Sequence, residues 1–138
     1  MKNLLIAICT ILLLVSCSSS SSNNNPAVSS STYNPPSWIQ GTWGIKATGG
    51  GQTNDDPKYK FTTDNICQLT GGFSSQCWKE GINSNPQGLS GSETITADTY
   101  VCALSGGGTS VTLTFRKISS TKILWVNQSR NLELEKLN

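Results

Sequence analysis

The chain has 138 residues, of which 13% are charged and 36% hydrophobic, and its formal net charge is +2 with no His. This length accommodates one domain of ordinary size. The small net charge, with no basic cluster, argues against a nucleic-acid-binding protein. The absence of His excludes His-based acid–base catalysis and removes the commonest metal ligand.

The first 16 residues have the three parts of a secretory signal peptide. Lys2 supplies the positive charge, residues 4–15 form an apolar stretch interrupted by Cys9 and Thr10, and the small residue Ser16 closes it. Twelve helical residues reach about 18 Å, well short of the roughly 30 Å hydrocarbon core of a bilayer. We therefore expect residues 1–16 to be a cleaved signal peptide.

The sequence Leu14-Val15-Ser16-Cys17 resembles the lipobox of bacterial lipoproteins. The resemblance implies a diacylglyceryl thioether and an acylated amino terminus on Cys17, and three acyl chains exceed what stable anchoring in a bilayer needs. It implies a lipid-anchored envelope protein, and the following serines are compatible with the outer membrane. No acidic residue resembling a surface-export signal lies in residues 18–25, which favours the periplasmic face. The alternative is an ordinary signal peptide cut elsewhere.

Residues 18–36 contain eight Ser, four Asn and three Pro and no charged residue. Such a segment buries too little apolar surface to offset the entropy of ordering it. We expect a disordered tether over residues 17–36, with an r.m.s. span of about 25 Å, followed by a folded domain over residues 37–138.

The folded part alternates apolar and polar residues with period two, which predicts half-buried strands. The clearest example is Val111-Thr112-Leu113-Thr114-Phe115-Arg116. Turn-forming residues separate the runs at short intervals. The expected strands lie at residues 42–47, 58–62, 66–69, 93–97, 100–104, 111–116, 123–126 and 132–135. The pattern predicts an all-β domain, a small up-and-down antiparallel barrel or meander of about eight strands.

Gly41-Thr42-Trp43 at the start of the first strand matches the Gly-x-Trp element of lipocalins. With the lipobox, the Ser/Asn-rich tether and the succession of short strands, the chain resembles the small lipocalin-like lipoproteins of Bacteroidota. The resemblance implies that Trp43 closes the narrow end of the barrel beneath a basic side chain from late in the chain. Arg130 is the first candidate for that side chain and Arg116 the second.

Three cysteines remain after the signal peptide and Cys17, and secretion permits a disulfide. A Cys67–Cys77 bond closes a tight loop and is the expected pair, and Cys77–Cys102 is the competing one. Cys102 lies on a predicted strand and suits a buried free thiol. A nucleophilic thiolate needs a neighbouring cation or helix amino terminus, and the sequence shows neither.

Other candidate chemistry is weak. Glu133 and Glu135 share one strand face about 7 Å apart, but that face opposes the apolar one, so we expect both carboxylates to point to water. Asp55 and Asp56 lack the distal ligands of a calcium loop. The sequence therefore predicts neither an enzyme nor a metal or cofactor site.

Two functions remain from the sequence. In the first, the barrel of a membrane-anchored lipoprotein binds a small apolar ligand. The candidate lining residues are Trp43, Ile45, Phe61, Leu113, Phe115 and Trp125. In the second, the barrel is filled, and residues 83–91, residues 49–57 and Trp78 contact another macromolecule, as in an envelope inhibitor or accessory subunit.

Overall fold

The computed structural model describes residues 33–48, 54–71, 74–126 and 130–138, which form nine strands and one short helix. The expected signal peptide, Cys17 and most of the expected tether lie outside these residues. In chain order the elements are β1 (Gly41–Ile45), β2 (Asp56–Phe61), β3 (Ile66–Thr70), β4 (Ser74–Cys77), α1 (Trp78–Ser84), β5 (Leu89–Ile95), β6 (Thr99–Gly106), β7 (Thr109–Lys117), β8 (Lys122–Val126) and β9 (Leu132–Leu137).

The nine strands form one antiparallel sheet in the order β4-β3-β2-β1-β9-β8-β7-β6-β5. Every neighbouring pair is antiparallel, and all are joined consecutively except β1 and β9. The sheet curls into a half-barrel, which confirms the predicted all-β up-and-down architecture. All eight predicted strands are present with shifted ends, and β4 is the additional one.

The apolar positions of the alternating sequences line the concave face of the sheet. In β7, Leu113 and Phe115 are buried, and they pair with Cys102 and Tyr100 of β6, which are fully buried. Because cross-strand partners lie on the same face of a sheet, one period-two pattern places the core residues of both strands together.

Between β1 and β2 the register shifts at Gly44, which packs directly against the β2 backbone. A Cβ at Gly44 would lie 2.2 Å from the Asp56 carbonyl oxygen. Only glycine allows the two backbones to approach this closely.

Helix α1 joins the two edge strands of the sheet, β4 and β5. Its buried side chains are Trp78 and Ile82. Asn65, a buried polar residue in the β2–β3 turn, fixes the start of the helix: its Oδ1 accepts hydrogen bonds from the Lys79 and Ile66 N–H groups, and its Nδ2 donates to Glu80 at 2.7 Å. The helix covers apolar surface between the two edges.

The segment before β1 belongs to the folded unit. Tyr33 is 1% exposed, and its hydroxyl donates to the Ala103 carbonyl at 2.7 Å. The N–H of Asn34 donates to the Glu93 carboxylate of β5 at 2.9 and 3.0 Å. The prediction that the tether continues to Pro36 is therefore wrong for its last four residues, because Tyr33 contributes an aromatic ring to the core.

A turn over residues 37–39 leads into β1 and packs against it. Trp43 and Ile39 are fully buried, and the Trp43 indole N–H donates to the Ile39 carbonyl at 2.6 Å. The basic side chain over the Trp43 ring belongs to Lys136, 5.6 Å from the ring centroid. The expectation of Arg130 or Arg116 is wrong, because Lys136 is the direct cross-strand partner of Trp43.

Cys67 of β3 and Cys77 of β4 are cross-strand partners joined by a disulfide, as predicted. Cys102 is a free thiol buried in the core, also as predicted. Within the described ranges, no helix has the length and apolarity needed to cross a membrane.

Candidate functional site

The interior of the half-barrel has a packed region and an open region. In the packed region, aromatic rings meet edge to face: Phe61 lies 5.0 Å from Phe115 and 6.1 Å from Tyr100, centroid to centroid. Such pairs contribute stability beyond their buried area. Trp43, Phe61 and Phe115 are buried in this core and do not line either cavity described below. Their assignment as ligand-lining residues stays a prediction, which these two cavities do not support.

The open region is a cleft of about 730 Å³ on the concave side of the sheet. Two elements form its walls, the β2–β3 pair on one side and the β7–β8 pair on the other. Two of the predicted lining residues, Leu113 and Trp125, lie in its wall. The complete lining is Tyr59, Gln68, Ser110, Val111, Thr112, Leu113, Thr114, Trp125 and Val126.

The floor of the cleft is aromatic. Tyr59 and Trp125 meet at 5.2 Å between centroids and 74° between planes, and Tyr59 also contacts Phe115 at 5.1 Å. Tyr59 therefore forms the boundary between the packed core and the cleft.

The Tyr59 hydroxyl is an available hydrogen-bonding group, although the residue is only 2% exposed. It has no hydrogen-bond partner among the described residues, and the only buried side-chain polar atom there without a partner is Trp38 Nε1. The small exposed part of Tyr59 thus includes its hydroxyl and opens on the cleft. Burial raises the pKa of Tyr59 to about 12, so the hydroxyl is protonated at neutral pH.

The rim of the cleft is polar but carries no charge. Gln68, Ser110 and Thr112 are exposed there, and none of the nine lining residues is Asp, Glu, Lys or Arg. Val111, at 54% exposed, places an apolar side chain at the same rim. The cleft thus combines an apolar floor with neutral hydrogen-bonding groups.

Ile45, another predicted lining residue, lies apart from the cleft. It borders a smaller cavity of about 190 Å³ with Glu133 and Glu135. Lys122 Nζ lies 2.5 Å from a Glu133 oxygen and 3.6 Å from a Glu135 oxygen. The two carboxylates are partly exposed, as expected, and share Lys122, whose single positive charge offsets one of their two negative charges.

The residues expected to contact a macromolecule are divided among different elements. Trp78 is 6% exposed and packs edge to face against Tyr33 at 5.6 Å, so it offers little contact surface. Residues 83–91 contain the end of α1, a turn and the start of β5. Of residues 49–57, only 54–57 are described; there Asp55 accepts a hydrogen bond from the Ala47 N–H.

Sequence reasoning missed Tyr59, the residue that joins the core to the cleft. Its signal was present, because Tyr59 and Phe61 alternate with Lys58 and Lys60 in β2. The position of Gln68 in the cleft lining has no such signal in the sequence, because it depends on which strands face each other across the curled sheet.

The chain was compared with protein families, curated proteins and solved structures. No family model matches the chain, and neither the curated proteins nor the solved structures include a significant match. The class that the described residues define is a curled antiparallel β-sheet domain with a Cys67–Cys77 disulfide and an open cleft.

Proposed function

We propose that this protein is a non-enzymatic, lipid-anchored binding protein whose β domain holds a small, largely apolar ligand in the cleft floored by Tyr59 and Trp125. The observation that carries the proposal is the cleft itself. A volume of about 730 Å³ lies within the range of small-molecule sites, which combine apolar walls with a few polar groups. Leu113, Val111 and Val126 supply further apolar wall.

The cleft is also preformed. Tyr59 is held by ring contacts to Phe61, Phe115 and Trp125. Leu113 is held by the pairing of β7 with β6, in which its cross-strand partner is Cys102. A ligand that enters such a site does not have to order its walls, so little of the binding free energy is lost.

The location of the protein rests on the sequence. Acylation of Cys17 would attach the domain to the bilayer through the Ser/Asn-rich segment, and we place it at the outer membrane facing the periplasm. Mass spectrometry of the native protein and of Cys17→Ser tests this step. Loss of the lipid mass in the variant supports it, and an unmodified Cys17 in the native protein contradicts it.

The binding function is tested with N-phenyl-1-naphthylamine, an uncharged apolar dye that fluoresces when it leaves water. We expect saturable binding of one dye per chain. Trp125→Ala removes part of the cleft floor and should weaken binding at least tenfold, whereas Ile118→Ala, which truncates an apolar side chain 50% exposed outside the cleft, should leave it unchanged. Absence of saturable binding, or equal effects of the two variants, contradicts the proposal.

A second candidate function is binding of another macromolecule. The filled region of the barrel favours it, as do two exposed apolar side chains, Ile95 and Ile118, at 45% and 50% exposed. Both lie beside the turns at the end of the sheet away from the β6–β7 hairpin. The test is a double variant, Ile95→Ser with Ile118→Ser. Loss of capture of an envelope partner, with dye binding preserved, would favour this function.

A further inference from the structure

We infer that the cleft selects an uncharged ligand that carries hydroxyl groups, such as an alkyl glycoside or another neutral amphiphile, over an anionic or cationic one. This inference rests on the proposed binding function and adds the chemical class of the ligand. Its basis is the polar chemistry of the cleft, which is wholly neutral.

A charged headgroup would find no counter-ion in the cleft. Tyr59 is the one lining residue with a titratable side chain, and burial raises its pKa to about 12. All nine lining residues are therefore uncharged at neutral pH. An ion that leaves water without a partner loses hydration that neutral dipoles only partly replace. A fatty-acid carboxylate and an alkylammonium should therefore both bind poorly.

The two charged residues adjacent in sequence to Tyr59 do not line the cleft. Lys58 pairs with Asp56 at 2.6 Å, and Lys60 lies on the exposed face of β2 with its pairing position opposite Cys67. The residues outside the described ranges that connect neighbouring strands (49–53, 72–73 and 127–129) also contain no charged residue.

A hydroxyl-bearing neutral ligand has specific partners in the cleft. The Tyr59 hydroxyl can donate and accept, and it makes no hydrogen bond to another described residue. The Gln68 amide offers a donor and an acceptor at the rim. The apolar face of a sugar ring or an alkyl chain would lie against Trp125 and Leu113. An uncharged ligand thus satisfies the polar groups without losing the hydration of an ion.

The test compares three ligands with the same alkyl chain: octyl glucoside, octanoate and octyltrimethylammonium, each below its critical micelle concentration. Binding to the wild-type protein is measured by isothermal titration calorimetry. We expect octyl glucoside to bind at least tenfold more tightly than either ion. Without Lys2 of the expected signal peptide, nine Lys and Arg stand against eight Asp and Glu, a net charge of +1. Any non-specific electrostatic attraction therefore favours octanoate slightly and works against the expected result.

Two variants locate the selectivity. Val111→Arg places a cation at the exposed rim and should improve octanoate binding at least fivefold relative to octyl glucoside, whereas the matched Ile118→Arg, outside the cleft, should leave the ratio unchanged. Tyr59→Phe keeps the ring and removes the hydroxyl, and should weaken the binding of octyl glucoside several-fold.

Octanoate binding as tightly as octyl glucoside, or an unchanged ratio in Val111→Arg, overturns the inference of neutral selectivity. If the uncharged dye binds but none of the octyl ligands does, the inference is also overturned, and the proposed function stands. If neither the dye nor any octyl ligand binds, the proposed function itself fails.

Discussion

Trp43 and Lys136 are direct cross-strand partners in β1 and β9, and the Lys136 ammonium lies over the Trp43 ring at 5.6 Å from its centroid. The indole is fully buried, so the lysine stem covers the ring where the sheet would otherwise open to water. The pair connects β1 and β9, the first and last strands of the described residues, which are neighbours in the sheet.

Replacing Lys136 with Ala should destabilise the protein by about 0.5–1 kcal/mol, the range of an exposed cation–π contact. Lys136→Arg should retain most of that free energy, because the guanidinium also stacks on aromatic rings. Urea denaturation followed by tryptophan fluorescence measures both. Equal losses for the two variants would show that the cationic contact contributes nothing.

The Tyr33 side chain occupies space that only a glycine at position 91 leaves free. A Cβ on Gly91 would lie 2.6 Å from the Tyr33 hydroxyl oxygen and 2.7 Å from its Cζ. Gly91→Ala should therefore displace Tyr33 and destabilise the domain by about 1–3 kcal/mol.

The matched control is Gly81→Ala in α1, where the nearest atom to the added Cβ is 3.8 Å away. This change should stabilise the protein by about 0.5–1 kcal/mol through helix propensity. The clash with Tyr33 is checked by thermal denaturation of both variants and of the double variant Gly91→Ala with Tyr33→Ala. Additivity of the two changes in the double variant would contradict a direct clash, because residues in contact couple.

The Cys67–Cys77 disulfide closes a loop with a sequence separation of 10 residues. Removing both sulfurs with a Cys67→Ser, Cys77→Ser variant should lower the free energy of unfolding by about 2.5–3 kcal/mol in the chain-entropy model. Wild-type protein with reductant should match the variant. Of the three cysteines that the structure describes, Cys102 alone should be alkylated in unreduced protein, and only after unfolding. Alkylation of Cys67 there would contradict the pairing.

All three tyrosines of the chain are buried and resist ionisation. Burial raises the pKa of Tyr33 and Tyr100 well above the usual value of 10, and that of Tyr59 to about 12. The folded state holds these protons more tightly than the unfolded state. The contribution of the three tyrosines to the free energy of unfolding is therefore constant below pH 10. It falls as the pH rises from 10 through the folded-state pKa values.

Absorbance at 295 nm should therefore show almost no tyrosinate in the native protein at pH 10.5. Ionisation should coincide with alkaline unfolding seen by circular dichroism, whereas protein in urea should titrate near pH 10. A native tyrosine titrating near pH 10 with the fold intact would contradict the burial of that residue.

The strands were predictable because their side chains alternate between core and solvent. Leu113 and Phe115 show this pattern most clearly, and the structure places both in the core. The pairing of Cys67 with Cys77 followed from the short loop between them. These features depend on local sequence, where period and spacing carry the information.

Other features depend on contacts between distant residues and gave no local signal. The β4 strand, Ser74-Ser75-Gln76-Cys77, has no alternation, and α1 is only seven residues long with Gly81 inside it. Tyr33 stands among Ser, Asn and Pro residues and resembles a linker residue until its contacts across the sheet are known. For the same reason the cleft lining could be predicted only in part.

The position of β9 in the middle of the sheet has a consequence for biogenesis. β9 is the last described strand in chain order, yet it lies between β1 and β8. A chain that emerges amino terminus first during synthesis or export cannot join its two halves until β9 has appeared. Formation of the complete sheet thus waits for β9, so a premature stop before Leu132 should leave two fragments of sheet that are not paired with each other and are substrates for proteolysis.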